Sequence, residues 1–254
     1  MNSINLLAVT IFSGAIAGTI LAIINLGLVE PYIDSAIALE TQRKISSGEN
    51  VDMAELVHYR IWQKGGAIAA GAVYGISLGA LFGIVFAYGR KALPGDSNKQ
   101  KALFLAGLLW FVLYLMVAIK YPANPPAVGD PETIYYRQSL YVGYLAISGF
   151  TALGLALAWK RVQLGSKKIL FPLIYAAIMI VAYVAFPPNS DIIGISMDLI
   201  HTFRVVTALT IGLFWGILGI VFGSFWDRFI SREEQKYATV WRVLIRELDN
   251  YFYY

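Results

Sequence analysis

Six apolar runs, each close to the length that crosses a bilayer, dominate this 254-residue chain: residues 4–29, 66–89, 102–119, 136–159, 169–186 and 202–225. A hydrocarbon core about 30 Å thick takes roughly 20 apolar residues at 1.5 Å each. Backbone amides in lipid have no water to bond, so runs of this length must pair their own amides as helices. Hydrophobic residues make up 58% of the chain and charged residues 14%, and the charges cluster between the runs. The chain therefore reads as an all-α integral membrane protein, with six transmembrane helices in a domain over residues 1–225 and a different final segment, 226–254. The first run has no basic leader and exceeds the roughly 7–15 apolar residues of a signal-peptide core, so it is expected to persist as a helix. Cysteine is absent, which removes disulfides and thiolate metal chemistry.

Charge placement sets an orientation. Residues 90–101 hold Arg90, Lys91, Lys99 and Lys101 against Asp96, and residues 160–168 hold four bases and no acid. The other three connections, about 30–65, 120–135 and 187–201, are balanced or acidic. Basic residues beside helix ends stay in the cytoplasm, so both termini are expected there and the three other connections outside. The sequence pI near 9.1 follows from these cytoplasmic loops and needs no nucleic-acid partner.

Two of the outward connections resemble each other. YPANPPAVGDPETIYYRQSL and FPPNSDIIGISMDLIHTFRVV both open with aromatic-Pro-x-Asn (Tyr121, Pro122, Asn124; Phe186, Pro187, Asn189), then carry acids, then an arginine in the following helix (Arg137, Arg204). A weaker copy lies around Pro31 and Arg60. The pattern implies three helical hairpins, each with an outward joint. Pro122, Pro125, Pro126 and Pro131 hold the central joint extended, with Gly129 before Asp130. Asp130 precedes Pro131 where a helix should start, a capping position, with Glu132 in the first turn. Arg137 and Arg204 must snorkel, pair with an acid or line a wet cavity.

Gly71, Gly75, Gly79 and Gly83 recur every fourth residue, so one face of the second span is bare backbone that a neighbouring helix can approach closely. Gly14 with Gly18, Gly212 with Gly216 and Gly219 with Gly223 repeat the spacing. Such faces serve either packing or a sliding surface. Over 226–254, Phe229, Tyr237, Trp241, Leu244, Leu248 and Phe252 fall on a helical stripe. That segment is expected to be an amphipathic helix on the cytoplasmic membrane face or docked to a partner.

No nucleophile elbow, P-loop, dinucleotide fingerprint or HExxH motif occurs, so the chain is not expected to be an enzyme or to power transport itself. The outward polar groups are the candidates. Imidazole and carboxylate ligands suit divalent first-row metals. Asp198 and His201 lie one helical turn apart, and Glu30 and His58 are the groups that would complete a site with them. The same residues also serve as surface charges, and His201 as a partner of a neighbouring loop.

LVEPYIDSAIALE, KYPANPPAVGDPETIYYRQSLY and FRVVTALTIGLFWGILGIVFG closely resemble segments of the CbtA family of cobalt transporter subunits, in the same order along most of the chain. Glu30, Pro31, Tyr121, Pro122, Asn124, Pro125, Pro126, Gly129, Asp130, Pro131, Thr133 and Arg204 carry the resemblance. It implies a multi-pass cell-membrane subunit for cobalt uptake, with Co²⁺ as cargo, no resident cofactor and a small CbtB-like membrane partner. The chain departs from the family pattern in offering only His58 in its first outer connection. The resulting expectation is divalent metal uptake through an outward acidic vestibule. A scaffold subunit that does not itself transport is the other reading, and assembly with further copies of the chain stays open.

Overall fold

Where the first apolar run ends, Pro31 opens a new helix rather than stopping the chain. Proline fits there because the second helical position needs no backbone N–H. The computed structural model describes residues 3–126, 128–161, 169–188 and 194–252, with backbone alone at Ser3, 160–161 and 230–252. Among these residues the secondary structure is entirely helical: α1 (Ser3–Leu28), α2 (Glu30–Ser46), α3 (Met53–Gly89), α4 (Asn98–Trp110), a π-helical turn (Phe111–Leu115), α5 (Met116–Lys120), a 3₁₀ turn (Pro131–Thr133), α6 (Ile134–Arg161), α7 (Leu170–Ala185) and α8 (Met197–Phe252).

Five stretches are long and apolar enough to cross a membrane: Ile4–Leu28, Met53–Gly89, Asn98–Lys120, Pro131–Trp159 and Met197–Phe229. The fifth apolar run, 169–186, forms α7, whose 16 residues cover only about 24 Å at 1.5 Å per residue, less than a bilayer core of about 30 Å.

The first outward connection differs from the loop expected over 30–65. It is α2 followed by the first three turns of α3. The Asp52 carboxylate starts α3 by accepting from Ala54 N (2.9 Å) and Glu55 N (3.0 Å), and no Gly or Pro interrupts residues 53–64. At the other end, α2 closes with Gly48 at φ +83° while Glu49 N donates to Lys44 O at 2.9 Å, a left-handed cap that glycine adopts without strain. Helix α8 continues through residue 226 without a break, and no Gly or Pro follows Gly223. The side chains that would form the C-terminal stripe beyond Phe229 lie outside the described residues.

The helices pack as two compact units. One comprises Met1–Gly18, Ala72–Ala106 and Gly216–Tyr254. Here Gly14 and Gly18 of α1 press backbone to backbone on Gly75 and Gly79 of α3. A Cβ on Gly79 would lie 2.8 Å from Thr10 O and 2.9 Å from Gly14 Cα, closer than van der Waals contact allows. Gly83 is buried on the same face and Gly71 half-buried. Phe82 and Phe86 meet Phe222 edge-on at 4.9 and 5.1 Å, and Phe86 meets Trp226 at 5.0 Å. Arg90 stacks over Trp226 at 5.3 Å, and Asn98 Nδ2 donates to Asp227 Oδ1 at 2.7 Å. A Cβ on Gly223 would lie 2.6 Å from Lys99 Cα, so α8 lies directly on α4 here.

The other unit comprises Thr19–Gly71 and Gly107–Trp215. Its core joins Val112, Val117, Tyr121, Tyr144, Tyr175 and Met179. The π turn is tied in by polar contacts: Ser148 Oγ donates to Val112 O at 2.6 Å and lies 2.7 Å from the Tyr175 hydroxyl. The single serine proton is used on the carbonyl, so Tyr175 donates to Ser148. All three groups are thereby paired in a region without water to pair them.

Candidate functional site

The three connections expected outside lie in the same unit and interlock. Tyr121, at the end of α5, donates its hydroxyl to Pro187 O at 2.7 Å, joining the central joint to the one after α7. Its ring meets Tyr144 edge-on at 5.8 Å, and Tyr144 meets Phe186 at 5.5 Å. The two aromatic residues that open the similar joints thus flank one buried tyrosine. Arg43, in the last turn of α2, donates to Gly194 O. Beneath these contacts Ala36, Val128, Ile195 and Ile200 form a small apolar kernel drawn from α2, both joints and α8.

The arginines bind joints rather than acids, with one exception. Arg204 of α8 donates to Asn124 Oδ1 at 2.7 Å and to Ala123 O at 3.3 Å. Arg137 of α6 donates to Thr133 Oγ1 and Asp130 O, both at 3.1 Å, and to Val128 O at 3.4 Å. The carboxylate of Asp130 is occupied with capping, accepting from Glu132 N at 2.9 Å. Gly129, at φ +89°, makes the turn that aims these carbonyls at Arg137. Pro125 is buried beneath the joint, Pro122 half-buried and Pro126 exposed.

Arg60 is the exception. Its guanidinium pairs with Glu30 and lies 2.9 Å from Asp34, while Lys64 Nζ lies 2.7 Å from the second Asp34 oxygen. Glu30 with Asp34 and Arg60 with Lys64 are each four residues apart, so two charged pairs on facing helices mesh. The Lys64 ammonium, bonded to Asp34, holds that carboxyl below the usual carboxylate range; partial burial opposes this and Arg60 adds to it. A carboxyl with a depressed folded pKa contributes stability above its unfolded value, about 3.9, and loses that contribution as pH falls through the lower folded value. Asp34→Asn should therefore melt earlier than the wild type near neutrality, with the difference vanishing in acid below that window. Thermal melting across pH checks this, and a difference that persists in acid would remove the electrostatic assignment.

The four metal candidates are not brought together. Glu30 is spent on Arg60. His58 is exposed on α3. Asp198 and His201 are both exposed on the first turns of α8, one turn apart as their spacing requires. Among the described residues no three His, Asp or Glu side chains form a group able to hold a metal ion. Asn189 and Asp191, which belong to the third joint, lie outside the described residues. Sequence reasoning missed Arg43 as the residue that fastens α2 to the last joint, and it missed the meshed pairs, whose signal was the matching four-residue spacing of acids and bases.

A family model described as "Probable cobalt transporter subunit (CbtA)" matches residues 3–227. No curated protein and no solved structure matches the chain.

Proposed function

Because the chain belongs to the CbtA family of probable cobalt transporter subunits, we propose that it is the multi-pass membrane subunit through which Co²⁺ is gathered for uptake. In this reading α7 is the sixth span, both termini are cytoplasmic, and the interlocked connections face outward. The observation that carries it is the sorting of charge. Residues 30–65, 120–137 and 187–201 together hold ten acids and six bases, whereas 90–101 and 160–168 hold one acid and eight bases. A negative outer surface raises the local concentration of a divalent cation before it enters.

The meshed pairs refine which acids do this. Glu30 and Asp34 are matched by Arg60 and Lys64, so the vestibule charge falls to acids such as Glu132 and Asp198, the latter beside His201. Initial Co²⁺ uptake in a transporter-deficient host should drop about two- to ten-fold at low ionic strength in Asp198→Asn, and converge with the wild type as salt screens the surface. Uptake that ignores this charge at every salt concentration, with normal protein in the membrane, would favour the scaffold reading, in which another subunit carries the ion. The family description as a subunit supports testing with membrane partners co-expressed.

Orientation has its own test. With no native cysteine to interfere, a single cysteine at Glu132 should react with an impermeant thiol reagent from outside, and one at Lys99 should react only after the membrane is opened. The reverse pattern would invert the topology.

A further inference from the structure

Where α5 ends and α6 begins, a cavity of about 500 Å³ opens beside the central joint, a volume within the roughly 300–1,000 Å³ usual for small-molecule sites. Its two ends differ in chemistry. The inner wall is apolar, formed by Tyr114 and Ala118 on one side and Leu140 and Val142 of α6 on the other, while Asn124 and Arg137 stand at the mouth. Arg137 is the one charged side chain among its described lining residues, and the plane of its guanidinium is fixed by three neutral oxygens of the joint.

The wall also faces outward. Ile134, Tyr141 and Val142 are 43%, 38% and 58% exposed and recur at helical spacing on α6, so the cavity lies beside a surface that a membrane-spanning helix presents to lipid. Exposed Tyr135 and Tyr136 stand at the same level, within the first turns of the span, where tyrosines gather at the headgroup boundary. Apolar wall below, cation above and an aromatic belt around them match the profile of a phospholipid. A zwitterionic headgroup would need an acid for its ammonium, and none is among the described lining residues. A phosphate without a second cation suits Arg137.

We propose that this cavity holds an anionic phospholipid, its phosphate against Arg137 and one acyl chain along the Val142 side of α6. The lipid would fill the groove beside the joint and steady the outer end of α6 from the membrane side.

The test uses the full chain in detergent micelles doped with phosphatidylglycerol or phosphatidylcholine, read by native mass spectrometry and thermal melting. Phosphatidylglycerol should be retained and raise the melting temperature, and phosphatidylcholine should do neither. Arg137→Gln should weaken retention about ten-fold, the change expected from loss of one charge-assisted hydrogen bond. Arg137 also braces the joint, so Val142→Trp supplies a second variant that fills the cavity from its lipid-exposed wall. It should lose the lipid while melting like the wild type in phosphatidylcholine. Equal retention of the two lipids, or phosphatidylglycerol retention unchanged in both variants, would overturn the proposal. Glycerol 3-phosphate, the head without chains, should give no protection; protection equal to the lipid's would reassign the cavity to a free phosphate ester.

Discussion

Gly79→Leu should prevent the protein from accumulating in folded form. The missing Cβ at Gly79 would already lie 2.8 Å from a backbone oxygen and 2.9 Å from a backbone Cα of α1, and neither atom can rotate away as a side-chain tip would. Overpacking a well-filled interior costs about 1–3 kcal/mol even where side chains yield. Here two helices must separate along the seam formed with Gly14, Gly18 and Gly75, so the loss should exceed that range. Gly107→Leu is the control: nothing lies within 4 Å of its would-be Cβ, and glycine costs about 0.5–1 kcal/mol in a helix interior, so replacing it should be neutral or mildly stabilising. Membrane abundance and melting of the two variants decide the matter. Identical behaviour would mean that the seam does not hold the unit together.

Arg60→Met should be the most damaging change among the charged residues. Side-chain exposure is 12% for Arg60 and 16% for Glu30, so removing the cation strands a mostly buried carboxylate. Breaking such a pair typically costs about 3–5 kcal/mol, whereas replacing both partners with apolar groups of similar volume is often neutral. The double variant Glu30→Met with Arg60→Met should therefore melt much closer to the wild type than Arg60→Met does. Strictly additive losses in the cycle would show that the two groups do not act as a pair. Uptake separates structure from chemistry: if Glu30 serves only Arg60, the double variant should transport Co²⁺ in proportion to its abundance.

How far the sequence foretold this structure depends on what each residue pattern encodes. Apolar runs report lipid exposure directly, and the five long spans follow from them. Glycines at every fourth position report a face without side chains, and Gly75 and Gly79 are where α1 comes closest. The Asp130-Pro131 start was legible because capping is local. The beginning of α3 was not, because hydropathy separates lipid from water and says nothing about whether a polar segment is helical; only the Asp52 cap marked it. For the candidate site, the one-turn spacing of Asp198 and His201 was readable, but their distance from Glu30 and His58 depends on packing across the chain. The arginines were recognised as needing partners, and the partners turned out to be joint oxygens for two of them and carboxylates for the third, a choice set by tertiary position alone.

The π turn at Phe111–Leu115 has a consequence for the joint above it. Its five residues bond five apart rather than four, so it contains one residue more than an unbroken α-helix would over the same rise. Each residue turns a helix by about 100°, and that surplus sets the azimuth at which Tyr121 leaves α5 and reaches Pro187. Deleting any one residue of the turn would let the helix anneal and swing the tyrosine about a quarter-turn away from its acceptor, whereas apolar substitutions there leave the phase untouched. The outer joint is thus aligned by residue number inside the membrane, and the stretch should tolerate changes of letter far better than changes of length.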